Sequence, residues 1–320
     1  MKAMLCLRHI KVENANAIAG LTYGFPAISN FLGFSHALSR ALQHDHGLTL
    51  GGCAVVCHQH QIHAVQPAGW GDYVFALTRN PLTKEAKTAA FNEEGRMNLD
   101  VSLLIECEFS ADDLDFFDAG ETSLNVQCLE QYLYRKAQTL RLAGGHIVGL
   151  QALTLSEVPE GDDEFSQWQR RQLLRLLPGF ALVERSDVLH KHHQTRVADD
   201  ADAQLIDSWL DFAALKYQAI ADADADDAEV KVDKKVKWQY LAKPAAGYLV
   251  PITIGYHAIS PLYANGDVAS TRDATTPFRF VESAYSIGQW ISPHRAKNIS
   301  DLFWRYHVSD EAYLCKNQDV

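Results

Sequence analysis

The sequence predicts an α+β fold built on a ferredoxin-like βαββαβ core. Three observations lead to this class. Alternating apolar and polar residues indicate short strands, and apolar residues three or four positions apart indicate amphipathic helices. In the first half of the chain these segments follow the order strand, helix, two strands, helix, strand. The stretch between the second and third strands is too long for a tight hairpin, which predicts an inserted arm.

The core elements follow in chain order. Residues 6–12 alternate around Ile10 and Val12, which indicates a strand. Ser29 can cap the next helix, whose apolar residues at helical spacing are Phe31, Phe34, Leu38 and Leu42. The remaining elements are expected at 52–65 (second strand), 98–109 (third strand), 124–142 (second helix) and either 146–150 or 179–184 (last strand). An antiparallel sheet of this kind leaves one face for a partner.

The rest of the chain is less regular. Helices are expected at 199–220 and 300–307, and strands within 244–261 and at 278–284. The stretch ADADADDAE, residues 221–229, is interpreted as a solvated acidic linker. The predicted domains are 1–185, a ferredoxin-like domain with the arm at about 70–96, and 186–320, a mixed α/β region that contains the linker.

The composition is typical of an intracellular globular protein. Of 320 residues, 47% are hydrophobic, which is enough for one large core or two modest ones. No apolar run approaches the roughly 20 residues that a membrane-spanning helix needs, and the first residues lack the apolar segment of a signal peptide. The six cysteines have no framework spacing and are expected to be reduced thiols. We therefore expect a cytoplasmic location and no membrane contact.

The net charge of −11 at first argues against nucleic acid as a partner. The acidic residues are concentrated, however, in the stretches 106–121, 157–164 and 199–229, which hold seven, five and ten of them. These stretches contain a single lysine between them, so the remainder of the chain is net positive. Because steering of a ligand depends on the local potential, the sequence is compatible with a basic surface.

The sequence CAVVCHQHQIH, residues 53–63, places two cysteines and three histidines close together and suggests zinc. Strand geometry argues against this ligand set, because Cys53 and His63 would lie roughly 33 Å apart at about 3.3 Å per residue. Zinc ligands must reach one ion within about 2.0–2.3 Å. Only His58 and His60 are near enough to act together. We expect buried cysteines and polar histidines here, with no metal and no cofactor.

Two functions are open for His58 and His60. Imidazoles that titrate near neutral pH can serve as general acid and base, and histidines on an open sheet face can stack on bases. The sequence contains no GxSxG, Walker loop, HExxH, GxGxxG or paired CxxC. A second histidine cluster, HKHHQTR at 190–196, is interpreted as a solvated helix end.

The predicted arm carries basic residues on a polar, turn-containing segment, and these are Arg79, Lys84, Lys87 and Arg96. Such side chains can reach phosphates that a flat sheet would miss, although a solvated hairpin accounts for them as well. Residues 276–295 mix aromatic side chains with Arg279 and Arg295. That mixture suits either stacking on unpaired bases or an ordinary core.

Gly144 and Gly145 follow the second predicted helix. One glycine in the left-handed conformation commonly ends a helix, which accounts for Gly144. The second glycine exposes further main-chain N–H groups that could donate to phosphate or to base edges, and Arg141 and His146 flank the pair. A helix cap and a ligand-binding loop both fit these residues.

Several stretches taken together resemble one known family. They are VENANAIAGLTYGFPAISNFLGFSHALSR (12–40), CHQHQIHAVQPAG (57–69), FALTRNPL (75–82), EEGRMNLDVSLL (93–104), LRLAGG (140–145), LLPGFALV (176–183), VPITIGYHAISPLY (250–263) and TPFRFVESAYSIGQWISPHR (276–295). The sequence resembles the family of the second subunit of the Csy complex, which is the type I-F CRISPR surveillance complex. This family belongs to the fifth Cas group of RNA-binding proteins. The matches span nearly the whole chain in order.

The resemblance implies an RRM-like, ferredoxin-type domain with a projecting thumb and no catalytic residues. It implies a heterodimer with the large subunit of the complex that caps the 5′ handle of the CRISPR RNA, beside the repeated backbone subunits. Guide processing and target cutting belong to other proteins, and target DNA is contacted only through the complex. The aromatic signature of ordinary RRM domains is absent from the sequence.

The family's glycine-rich loop matches Gly144 and Gly145, and its thumb matches Arg79 and Asn80. We expect the glycine loop, the thumb and backbone groups of the first loop, residues 14–22, to hold the RNA. The full set of expected RNA-binding residues is Asn14, Asn16, Thr22, His58, Arg79, Asn80, Lys84, Lys87, Arg96, Arg141, Gly144, Gly145, His146, Arg279 and Arg295.

Two alternative functions stay open. Some relatives in other subtypes trim CRISPR precursors. If this chain shares that activity, it is a metal-independent endoribonuclease. The chain could instead be a scaffold subunit that touches no RNA. Because the net charge is −11, we expect the isolated chain to bind RNA weakly and the large subunit to complete the site.

Overall fold

The computed structural model describes residues 3–46, 48–79, 81–108, 122–221, 236–273 and 275–317. Within these ranges the fold is mixed α+β, with one large sheet and five α-helices, which confirms the predicted class at this level. None of the helices in the described ranges has the length and apolar character needed to span a bilayer.

The elements are as follows. The helices are α1 (Ile28–His46), α2 (Thr122–Thr139), α3 (Asp162–Arg175), α4 (Ser186–Asp199) and α5 (Leu205–Ala213), and two 3₁₀ turns lie at Pro293–Arg295 and Ile299–Leu302. The strands are β1 (Ala3–Asn16), β2 (Ile18–Ala19), β3 (Thr22–Tyr23), β4 (Thr49–Ile62), β5 (Ala64–Val65), β6 (Val74–Phe75), β7 (Leu77–Arg79), β8 (Phe91–Glu93), β9 (Arg96–Glu108), β10 (Arg141–Leu142), β11 (Gly145–Glu157), β12 (Phe180–Glu184), β13 (Lys216–Ala221), β14 (Val236–Leu241), β15 (Tyr248–Ala258), β16 (Val281–Ile291), β17 (Phe303–Val308) and β18 (Ala312–Lys316).

Ten strands form the large sheet in the order β10-β11-β1-β9-β4-β12-β16-β15-β18-β17, and β4 also pairs with β17. Its center consists of four long strands, β11-β1-β9-β4, in which every neighbouring pair is antiparallel. Together with α1 and α2 these strands follow the chain as strand, helix, strand, strand, helix, strand. Of the two segments expected to supply the last strand, 146–150 lies within β11 and 179–184 overlaps β12.

Two helices cover one face of this sheet. Helix α1 packs against β4 and α2 packs against β11. The apolar residues of α1 that were predicted from helical spacing, Phe31, Phe34, Leu38 and Leu42, are all buried. Burial of this apolar stripe, rather than intrinsic helix propensity, is the main source of stability for such helices.

The opposite face of the sheet is partly covered, which differs from the expectation of one open face. Trp168, Leu173 and Leu176, from α3 and the residue after it, pack there with Phe303. They contact sheet residues such as Leu104 to form a second core. The expectation failed because the second half of β9 carries buried apolar residues on both faces. In its first half, buried apolar residues alternate with partly exposed polar ones.

Between β4 and β9 the chain forms two short antiparallel ladders, β5–β6 and β7–β8. This is the segment predicted to form an arm. Large apolar side chains along it are exposed, among them Trp70 at 78% and Tyr73 at 68%. Residues 81–88 are exposed as well.

The chain divides into two compact units. Within the described residues, the first unit comprises the chain up to Glu184, Ile252–Tyr285, and the part from Trp290 onward, and the second comprises Arg185–Pro251 and Ser286–Gln289. Strand pairing, such as that of β17 with β4, places most of the described residues after Pro251 in the first unit.

The second unit contains a charged cluster around Asp211, whose carboxylate accepts hydrogen bonds from His192 at 2.7 Å, Arg196 at 2.6 Å and Lys216. Burial raises the pKa of the Asp211 carboxyl, but the hydrogen bonds from these three side chains outweigh burial and hold the pKa below its ordinary value. His193 Nδ1 lies 3.0 Å from Ser208 Oγ. In the histidine cluster that was interpreted as a solvated helix end, His192, His193 and Arg196 are therefore partly buried and hydrogen-bonded, while the other four residues are exposed.

Two predicted helices are corrected. The helix expected at 199–220 is shorter, since α5 ends at Ala213 and the chain continues into β13. The helix expected at 300–307 is mostly strand β17. Phe303 and Trp304 are fully buried and pair with β4, and Trp304 Nε1 donates to the carbonyl of Leu182 at 2.8 Å. Burial of these side chains and pairing with β4 outweigh the helical preference that was predicted for this segment.

Candidate nucleic-acid interface

The glycine pair lies in a tight β-hairpin turn. Helix α2 ends at Thr139, and β10 pairs with β11 so that Leu142 faces Gly145. The two residues between them, Ala143 and Gly144, have φ angles of +51° and +79°. Two-residue hairpin turns of type I′ require positive φ at both central positions. Gly144 is therefore explained by the turn, and the helix cap predicted for it is corrected.

Gly145 is required for a different reason. A Cβ atom at this position would lie 2.5 Å from the carbonyl oxygen of Glu13 and 2.8 Å from the amide nitrogen of Ala15, both in β1. Backbone atoms cannot move away as a flexible side chain can. The missing side chain of Gly145 thus lets β11 approach the end of β1 closely.

Arg96 links this turn region to the base of the arm. Its guanidinium donates to Asn16 Oδ1 at 2.7 Å and reaches the carbonyl oxygen of Asn14 at 3.5 Å. The same group forms a two-point ion pair with Glu94, at 2.8 and 2.6 Å. The amide of Asn16 in turn donates to the carbonyl oxygen of Ala143 in the turn, at 2.8 Å. We call Asn14, Asn16, Arg96, Gly144 and Gly145 the turn cluster, and the sequence analysis had singled out all five.

Backbone amides of the first loop are used within the protein. The amide of Asn14 donates to Asn98 Oδ1 at 3.2 Å, that of Asn16 donates to Ala143, and that of Ala17 donates to the carbonyl of Gly95 at 2.9 Å. The expectation that backbone groups of residues 14–22 hold RNA is therefore corrected for these three amides. A donor already paired inside the protein has no hydrogen left for a phosphate.

Two predicted residues extend the turn cluster along the sheet edge. Arg141 and His146 pair directly across β10 and β11, and both are exposed. Their side chains start on either side of the turn, two residues from Ala143 and Gly144. A cationic guanidinium and an imidazole donor at this position are suited to contact a phosphate.

The arm residues are less constrained. Lys84 has a side-chain exposure of 92% and lies 3.7 Å from Glu85, and Lys87 is also exposed. Arg79 is the last residue of β7 and pairs with Phe91 of β8. Asn80 lies outside the described residues.

Three other predicted residues lie apart from the turn cluster in the chain. Thr22 is 5% exposed, and its hydroxyl donates to the carbonyl of Ala19 at 2.7 Å and lies 3.1 Å from Thr253 Oγ1. Thr22 is corrected to a packing residue, since its side chain cannot reach a ligand. Arg279 donates to the carbonyl of Asp310, and Arg295 is exposed on a 3₁₀ turn.

His58 meets a histidine that the sequence analysis did not consider. Its ring stacks on that of His9 with centroids 4.1 Å apart. His58 Nδ1 lies 2.6 Å from the carbonyl of Pro178 and Nε2 lies 2.7 Å from Ser102 Oγ, while His9 Nδ1 lies 2.9 Å from Asp100 Oδ1. Burial lowers the pKa of the His58 imidazole, which favours the neutral ring. His9 and Asp100 were missed because only strand pairing brings them to His58.

The cysteines of the sequence CAVVCHQHQIH are buried in β4 as expected. Burial raises the pKa of the Cys57 thiol to about 12, and it also raises the pKa of the fully buried Cys53 thiol. Burial therefore favours the protonated, uncharged form of both thiols. All six cysteines are free thiols.

Comparison with known proteins places this chain beside one protein family and its curated members. The family model described as "CRISPR-associated protein (Cas_Csy2)" matches residues 5–315. A curated relative, the CRISPR-associated protein Csy2 of Pseudomonas aeruginosa (strain UCBPP-PA14), is 39% identical over 321 residues, which cover 98% of this chain and 94% of the relative. Both matches include the turn cluster and the arm.

Proposed function

Because this chain belongs to the Csy2 family of CRISPR-associated proteins, we propose that it is a non-catalytic subunit of the type I-F surveillance complex. In this proposal the subunit caps the 5′ handle of the CRISPR RNA as a heterodimer with the large subunit and next to a repeated backbone subunit. Target DNA is then contacted through the complex.

The core topology supports an RRM-like assignment. The four central strands lie in the order β11-β1-β9-β4, so that the last, first, third and second strands of the βαββαβ unit are neighbours. RRM domains bind RNA on the sheet face that the helices leave free. Here α3 and Phe303 cover part of that face, which favours RNA contacts at the loops of the sheet edge.

The observation that carries the proposal is the convergence of three separate segments at the turn cluster. Arg96 at the base of the arm is hydrogen-bonded to Asn16 of the first loop, and Asn16 is hydrogen-bonded to Ala143 of the hairpin turn. Arg141 and His146 flank the turn with exposed side chains. We assign phosphate contacts to these two side chains and to the basic residues of the arm.

A charge reversal in the arm tests the proposal. Arg79→Glu in the assembled complex is expected to lower affinity for handle-bearing RNA more than affinity for the same RNA without the handle. Replacing a cation with an anion adds repulsion from RNA phosphates, and the salt dependence of binding should become shallower by roughly one phosphate contact. Fluorescence anisotropy at several salt concentrations measures both effects.

The matched control is Arg135→Glu, which changes an exposed arginine on α2. It is expected to leave the preference for handle-bearing RNA unchanged. An equal loss on both RNAs in Arg79→Glu would reject a handle-specific role for the arm.

A further inference from the structure

Two β-bulges lie at the same level on the two neighbours of β9. Along β1 the register jumps from Leu7 opposite Leu103 to Ile10 opposite Val101, so that Arg8 and His9 face a single residue of β9. Along β4 the register jumps from Cys57 opposite Val101 to Gln59 opposite Asp100. His58 is the additional residue there. Bulges re-aim side chains and are over-represented beside functional sites.

The bulges bring His9 and His58 together over Asp100 on the central strand. Each of these residues offers one ligand atom, and the three atoms lie within 4.8 Å of one another. His9 has a φ angle of +49°, a left-handed conformation that costs a residue other than glycine about 1 kcal/mol or more. All three side chains are partly exposed, so an ion can enter from solvent.

His58 is already oriented as metal-binding histidines are. A carbonyl oxygen only accepts hydrogen bonds, so His58 Nδ1 carries the proton and donates it to Pro178. The lone pair is then on Nε2. Histidine ligands typically donate their second ring nitrogen to a carbonyl or carboxylate in this way, which fixes the tautomer.

We propose that His9, His58 and Asp100 form a binding site for a divalent first-row cation such as Zn²⁺, with a fourth position open to water. Two imidazoles and one carboxylate are a donor set that zinc and its neighbours accept. Neighbouring ligand atoms of a tetrahedral zinc site lie about 3.3 Å apart, so side-chain movements of about 1 Å close the site. The ion would join β1, β9 and β4.

Binding of the ion moves one proton. His9 Nδ1 and Asp100 Oδ1 lie 2.9 Å apart and share a hydrogen bond. The cation takes the place of the proton between them, and the His9 imidazole then carries its proton on Nε2, so binding releases no proton overall. At His58 the cation replaces the hydrogen bond between Nε2 and the Ser102 hydroxyl. No oxidation or reduction is involved.

Titration of the untagged full-length chain with Co²⁺ tests the site, since Co²⁺ reports four-coordinate binding by its visible absorption. We expect one equivalent of Co²⁺ to bind, and Zn²⁺ to displace it. Asp100→Asn keeps the shape of the side chain and removes its charge. It is expected to weaken Co²⁺ binding at least about tenfold. Loss of a group that only supports a metal ligand already costs about that much, and Asp100 is proposed as a ligand itself.

His60→Ala is the matched control, because His60 lies on the same strand, is exposed and is outside the three-residue group. It should bind Co²⁺ as the parent chain does. His58→Ala removes a ligand and is expected to weaken Co²⁺ binding as well; if this variant does not fold, Asp100→Asn decides the question. The proposal is overturned by absence of stoichiometric binding, by unchanged affinity in Asp100→Asn, or by binding that is lost in His192→Ala instead.

Discussion

Gly145→Ala is expected to lower the free energy of unfolding by about 3 kcal/mol, at the upper end of the cost of overpacking a buried site. The added methyl group would lie 2.5 Å from the carbonyl oxygen of Glu13 and 2.8 Å from the amide nitrogen of Ala15. Both atoms belong to the backbone of β1, so the two strands must separate. Urea unfolding of the purified chain, followed by circular dichroism, measures the change.

Gly144→Ala is the matched control for this prediction. Its φ angle of +79° costs an alanine about 1 kcal/mol, and the nearest atom to the added methyl group is Asn16 Nδ2 at 3.1 Å, on a side chain that can move. The loss in Gly144→Ala should therefore be the smaller one. Equal losses in the two variants would contradict the close approach of β11 to β1.

Arg96→Ala is expected to lower the affinity of the assembled complex for handle-bearing RNA at least tenfold. The guanidinium holds Asn16 through a hydrogen bond and neutralises Glu94. A hydrogen bond to a charged group contributes about 1.5–3 kcal/mol, and a tenfold change in affinity corresponds to about 1.4 kcal/mol. Without Arg96, the carboxylate of Glu94 loses its ion pair and, in the proposed interface, adds a negative charge that repels RNA. Fluorescence anisotropy with labelled handle RNA measures the loss.

Arg96→Lys separates geometry from charge. Lysine keeps the positive charge but cannot form the two-point contact with Glu94 or reach Asn16 with the same fork of donors. We expect Arg96→Lys to lose affinity as well, though less than Arg96→Ala. Full affinity in Arg96→Lys would mean that Arg96 acts only as a point charge and that the turn cluster is not needed for binding.

The order of the core elements could be predicted from the sequence because hydrophobic periodicity records which face of each element is buried. The stripe of Phe31, Phe34, Leu38 and Leu42 predicted α1, and the alternation from Leu99 to Ile105 predicted β9. The sequence analysis did not predict that α3 covers part of the second face of the sheet. Leu104 is buried on that face, but it occupies a position that an alternating strand assigns to polar residues. A strand buried on both faces loses the alternation.

The candidate sites were predictable to different degrees. Asn14, Asn16 and Arg96 were selected from composition and resemblance, and the structure joins them by hydrogen bonds to one another and to the turn. The meeting of His9 with His58 could not be predicted, because it depends on one extra residue in each of two strands. Register shifts of this kind leave no trace in periodicity over a short strand.

Crosslinking of the assembled complex tests the central claim most directly. CRISPR RNA carrying a photoreactive base at each handle position is irradiated in the complex, and the crosslinked peptides are identified by mass spectrometry. The proposal predicts adducts on this chain around Asn14, Asn16, Arg141 and His146, and on the arm near Lys84. Handle crosslinks that fall only on other subunits, with none on these segments, would contradict it.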